Sequence, residues 1–138
     1  MKESSWEDCL EYSVVKTSPD PKRAESLIET SEERLGIIKE ISEKNSNFVF
    51  EDYYTSIMEL LQALVLKEGY KIPNHICLGF YLRDILKRED LFRLFDDLRY
   101  KKNSLAYYGK KMDFEISKQA LESSKKLIKE LKILLKSA

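Results

Sequence analysis

The chain has 138 residues, with 24 Lys and Arg balancing 24 Asp and Glu, 43% hydrophobic and 35% charged residues, and only four Gly and three Pro. That length supports one hydrophobic core in a single domain, taken as 1–138, and a high charged fraction with few chain breakers is the composition of long amphipathic helices. Abundant Leu, Ile and aromatics exclude disorder, no apolar run approaches the roughly 18 residues of a membrane span, and the opening MKESSWEDC lacks a signal-peptide pattern, so the expected setting is the cytoplasm without membrane contact.

Ser4 or Ser5 can cap a first helix carrying Trp6, Leu10, Val14 and Val15, which stops before Ser18-Pro19. Asp20-Pro21 reads as an N-cap followed by proline at the first helical position. From there Ala24, Leu27, Ile28, Leu35, Ile38 and Ile41 form one apolar stripe that runs to the polar break at Lys44-Asn45-Ser46-Asn47, with Gly36 a tolerable weakness of about 1 kcal/mol relative to Ala. A third helix starts between Phe48 and Glu51 and stops at Gly69. It is apolar round much of its circumference, which places it at the centre of a bundle. Tyr70-Lys71-Ile72-Pro73 is a connector and Asn74 caps a fourth helix. Around Lys87 to Asp90 the chain either breaks or turns slightly, after which Leu91, Leu94, Phe95 and Leu98 continue the helical period. Asp113 caps the last helix, through Ile116 to Leu135. No alternating strand pattern occurs, and the expected fold is an all-α, antiparallel up-and-down bundle of four to five helices.

The zero net charge hides an asymmetry. Between Leu98 and Ala138 eleven basic residues face four acidic ones, a surplus of seven that the remainder of the chain balances. Such a split fits either an electrostatic match between packed helices or a surface facing a polyanion. Glycine-rich phosphate loops, nucleophile elbows and paired histidines are missing, so no metal or cofactor is implied. The single histidine, His75, opens a helix and reads as a locally bonded residue. Cys9 and Cys77 are read as neither a disulfide framework nor a zinc site, with Cys77 in the core.

One dense cluster remains, Leu98-Arg99-Tyr100-Lys101-Lys102-Asn103-Ser104-Leu105-Ala106-Tyr107-Tyr108-Gly109-Lys110-Lys111, with five cations, three tyrosines and no acid. On a continuous helix Arg99, Lys102, Asn103 and Tyr107 share a polar stripe. Lys102 also stands in register with Phe95, Leu98 and Leu105, on the edge of the apolar seam, where a cation must snorkel, pair or face a groove. Its candidate partners are Asp96, Asp97 and third-helix carboxylates such as Asp52 or Glu59. The cluster reads either as an ion-pair network closing the bundle or as phosphate contacts interleaved with rings for base stacking.

Two stretches resemble the HEPN domain family, the higher eukaryote and prokaryote nucleotide-binding helical proteins. Ala63 to His75 (ALVLKEGYKIPNH) is similar to the family's central helix, its Gly-Tyr stop and a His-bearing start to the next helix, and Leu98 to Gly109 (LRYKKNSLAYYG) to its Arg-Asn motif. With the last helix the resemblance covers roughly 48–135, leaving 1–47 as N-terminal helices. It implies a helical bundle that homodimerises, pairing with a small nucleotidyltransferase as in two-gene toxin–antitoxin systems. Active members are metal-independent ribonucleases with an Arg-x(4–6)-His motif completed at the dimer interface. Aligning Lys102-Asn103 with the family's Arg-Asn puts Tyr107 where the histidine would stand, and counting from Arg99 finds Ser104, Leu105 and Ala106 there. Tyrosine, with an unperturbed pKa near 10, is a poor general base.

The expected function is therefore a non-catalytic module that binds a nucleotide, RNA phosphate or partner through Arg99, Lys102, Asn103, Tyr107, Tyr108 and Lys110. Two alternatives stand beside it. One is a divergent ribonuclease using Arg99 or Lys102 to stabilise the phosphorane and Tyr107 as acid, with a nucleotidyl-accepting role for Tyr108 implied by the family; the other is a purely structural oligomerisation bundle.

Overall fold

Four helix starts carry caps that satisfy orphan first-turn donors. The Ser5 hydroxyl accepts the N–H of Asp8 at 3.2 Å, the Asp20 carboxylate that of Arg23 at 3.1 Å, the Asn74 amide oxygen that of Ile76 at 3.0 Å and the Asp113 carboxylate that of Ile116 at 2.9 Å. The structure, a computed structural model, describes residues 3–38 and 40–137. The elements run α1 (Trp6–Tyr12), β1 (Val15–Lys16), α2 (Pro21–Gly36), α3 (Ser46–Lys67), β2 (Tyr70–Lys71), α4 (His75–Phe80), a π-helical turn (Tyr81–Ile85), α5 (Glu89–Tyr108) and α6 (Phe114–Ser137). Among the described residues no helix is long and apolar enough to cross a membrane.

The four long helices alternate in direction. The Asp20 N–H donates to the Leu66 carbonyl at 2.9 Å and the Ser31 hydroxyl reaches the Ser56 carbonyl at 3.5 Å, so α2 runs antiparallel to α3. Tyr54 stacks on Phe95 and Lys102 meets Glu51, so α3 runs antiparallel to α5, and α6 returns along α5 with Arg88 3.5 Å from Glu130. Phe50, Ile57, Leu60 and Leu61 of α3 are buried against Phe95, Leu98, Leu127 and Leu131 of its neighbours. The fold is thus the all-α bundle that the periodicity predicts, with α3 at its centre and short helices added at its side.

Three local expectations are corrected. The first helix ends at Tyr12, and Val15-Lys16 leaves it to pair antiparallel with Lys71 and Tyr70, the segment read as a plain connector. A two-residue ribbon is too short to show alternation. The second helix stops at Gly36, well short of Lys44. The stripe continues past the glycine because Ile38 and Ile41 still pack on the core from a non-helical segment, within which Lys39 lies outside the described residues. Cys9 and Cys77, both fully buried, form a disulfide with Cα atoms 5.9 Å apart, which bolts α1 onto α4. Of the two readings around Lys87 to Asp90 the break is the one that holds, and there the chain does more than turn slightly.

It reverses. Lys87 adopts a left-handed φ of 58°, the π-helical turn precedes it, and α4 folds back along α5. Gly79 lies so close to the Phe92 and Phe95 rings that a Cβ would stand 3.1 Å from Phe92, and Phe80 stacks on Phe92. In a hairpin centred on Lys87, the residues twelve positions to either side are His75 and Arg99.

Candidate functional site

The site begins with the ladder between α3 and α5. Glu51 and Tyr54 lie one turn apart on α3; Phe95, Arg99 and Lys102 follow one another by a turn on α5. Tyr54 stacks on Phe95 with ring centroids 6.2 Å apart, and Lys102 Nζ donates to Glu51 Oε2 at 2.9 Å. The partner of Lys102 is thus a third-helix carboxylate, but it is Glu51 rather than Asp52 or Glu59. Glu59 takes a two-pronged bond from Arg34 at 3.0 and 3.1 Å, Asp96 accepts from Arg99 at 3.1 and 2.9 Å, and Asp97 is held by Lys101. Each cation keeps donors in reserve, because Arg99 places two of its five N–H bonds on Asp96 and Lys102 one of its three on Glu51.

The hairpin delivers His75 to this ladder. Its Nδ1 shares a 3.2 Å hydrogen bond with the Tyr54 hydroxyl, which fixes the ring and leaves Nε2 as the nitrogen without a protein partner among the described residues. Desolvation against its packed neighbours, together with the charges of Arg99 and Lys102, holds the imidazole below its ordinary pKa of 6.5. Burial pushes the Tyr54 hydroxyl up, so that it stays protonated. A neutral imidazole, oriented by Tyr54, therefore stands within the field of two cations. Neither His75 nor Tyr54 is marked as a site residue by the sequence, because the nearest member of the cluster is 24 positions from His75. The reversal that returns α4 along α5 carries no local sequence signal that could have found them.

The remaining cluster residues occupy the adjacent face of α5. Tyr100, Asn103, Ser104, Tyr108 and Lys110 line a groove of about 790 Å³. Lys110 joins it because Gly109 adopts a left-handed φ of 62° and the N–H groups of both Gly109 and Lys110 donate to the Ser104 carbonyl, turning the chain back on the helix end. Tyr100, Tyr107 and Tyr108 are 70, 79 and 77% exposed, a rare concentration of bare aromatic surface. The site therefore has two joined parts. Arg99 and Lys102 flank the Tyr54–Phe95 stack to which His75 is bonded; Asn103, Tyr108 and Lys110 form the groove, with Tyr107 one turn beyond Asn103. Chemically, this surface offers donors for an anion and flat rings for a planar group.

No family model, curated protein or solved structure matches the chain.

Proposed function

We propose that the chain is a HEPN-like helical module which, as a non-catalytic dimer, holds the phosphate of a nucleotide or RNA strand at the C-terminal end of α5. The observation that supports this reading is the row of Arg99 and Lys102, each with donors in reserve, and three exposed tyrosines along the C-terminal half of α5. Spare guanidinium and ammonium donors suit a phosphate, and Tyr100, Tyr107 and Tyr108 offer faces on which bases stack without regard to sequence. Homodimerisation and a nucleotidyltransferase partner belong to the same proposal and rest on the family resemblance. A cytoplasmic site of action belongs to the proposal too, and the Cys9–Cys77 bond weighs against it, since disulfides are rare in reducing compartments; both cysteines are fully buried, out of reach of an attacking thiolate.

One observation favours the ribonuclease alternative. A histidine fixed through Nδ1 by Tyr54 and held neutral within the field of Arg99 and Lys102 is a combination that can take a proton from a ribose hydroxyl while the cations stabilise the phosphorane, with Tyr107 as the acid.

A single experiment separates the readings. A labelled oligoribonucleotide is incubated in EDTA with the wild type, Arg99→Gln and Lys102→Ala, and both bound fraction and strand length are measured. The expected result is saturable binding of intact RNA, weakened about tenfold in each variant through loss of a charge-assisted contact. Cleavage by the wild type that Lys102→Ala abolishes would install the ribonuclease reading, and intact, unbound RNA would reject both.

A further inference from the structure

A second concavity, built from different residues, lies where α2, α3 and the β-ribbon meet. Three pairs make its walls. Val15 and Lys71 are partners across the ribbon, so their side chains leave the same face. Arg23 and Leu27 lie one turn apart on α2, as do Gln62 and Leu66 on α3. With Ile72 and Pro73 they enclose about 400 Å³, within the size range of small-molecule pockets.

The walls are fixed by backbone and amide bonds. The Thr17 N–H donates to the Gly69 carbonyl at 2.8 Å, the Asp20 N–H to the Leu66 carbonyl at 2.9 Å, and Gln62 Nε2 to the Ile72 carbonyl at 2.8 Å. Gly69 permits this approach, with φ at +88° and the Thr17 carbonyl only 2.6 Å from where a Cβ would stand. The cavity is thus preformed.

Its chemistry is divided. Val15, Leu27, Leu66, Ile72 and Pro73 give it an apolar body. Arg23 and Lys71 are exposed cations at its edge, and neither has a carboxylate partner among the described residues; the nearby Asp20 carboxylate is engaged as the helix cap. An apolar slot with two unpaired cations on its rim complements an apolar chain ending in an anion.

We propose that this cavity binds a small amphiphilic carboxylate, its aliphatic chain lying against Leu27, Leu66 and Ile72 and its carboxylate between Arg23 and Lys71. The site is independent of the α5 surface, since the two share no residue.

The test is a backbone NMR titration of the full chain with octanoate and decanoate below their micellar concentrations. Saturable shifts are expected at Val15, Leu27, Leu66 and Ile72, with decanoate binding about tenfold tighter than octanoate for its two extra methylenes. The surface double variant Arg23→Gln/Lys71→Gln is expected to keep the wild-type spectrum away from the site and to bind decanoate about tenfold more weakly. Absence of saturable shifts at those four residues in the folded wild type overturns the proposal. So does equal affinity of the double variant for decanoate, or equal affinity of the wild type for decyltrimethylammonium.

Discussion

His75 changes meaning most between sequence and structure. As a sequence position it opens a helix after Pro73-Asn74 and has no partner in view. In the fold it bonds Tyr54, and desolvation, with the charges of Arg99 and Lys102, disfavours the imidazolium. The sign of the stability effect follows from this. A depressed folded pKa means the unfolded chain takes up the proton first, so stability is complete above 6.5 and falls as the pH drops through the lowered native value. Because His75 is the only histidine, its ring proton resonance titrates without overlap. The titration is expected to give a midpoint below 6.5, and Arg99→Gln is expected to raise it. An ordinary midpoint in the wild type, or one indifferent to Arg99→Gln, would show that these charges do not act on the ring. Bound phosphate places anionic charge beside the same ring and should likewise raise the midpoint, linking this measurement to the proposed function.

At the scale of elements, what was legible followed from local chemistry. Asp20-Pro21, Asn74 and Asp113 cap the helices they were read to cap, Gly69 and Gly109 end theirs in left-handed turns, and the all-round apolar α3 sits at the centre. What was illegible depends on long-range contact. The stripe containing Ile38 and Ile41 looked helical because burial, not helix continuity, selects those residues. The reversal at Lys87 carries no glycine or proline to announce it. Two cysteines 68 positions apart give no spacing rule, and only the packing of α1 on α4 brings them together. That packing is dense: the Trp6 ring meets Tyr70 and Tyr81 edge-on at 5.4 and 5.2 Å, and its backbone N–H donates to Asp84 at 2.9 Å. The disulfide closes a long loop in the unfolded chain, so the chain-entropy argument assigns it about 4 kcal/mol. Urea unfolding of Cys9→Ala/Cys77→Ala is expected to show a loss of that order, and reductant should lower the wild-type midpoint while leaving the double variant unmoved. A wild type as stable with reductant as without would mean that the noncovalent contacts of α1 suffice.

For the whole molecule, the question raised by the sequence was whether the C-terminal cationic surplus is consumed inside the fold. Among the described residues only two of its eleven cations reach acids of the N-terminal part on other helices: Lys102 meets Glu51 and Lys132 meets Glu32 at 2.7 Å. Arg99 and Lys101 pair one turn back along α5, while Lys118 and Lys125 pair with acids of α6 itself. Such one-turn pairs at the solvent boundary contribute little to stability. Lys110 and Lys111 at the end of α5, and Lys126, Lys129 and Lys136 on α6, have no carboxylate partner among the described residues. The asymmetry is therefore largely a surface property, available to an outside anion. If Arg99, Lys102 and Lys110 each contact one RNA phosphate, counterion release sets the slope of log affinity against log salt at about −2, and Lys110→Ala should bring it to about −1.4. Lys126→Ala, on α6 and outside the groove, should leave the slope unchanged. Equal effects of the two substitutions would mean that RNA reads the diffuse charge of the basic half, and the groove beside Tyr100 and Tyr108 would lose its claim to be the contact.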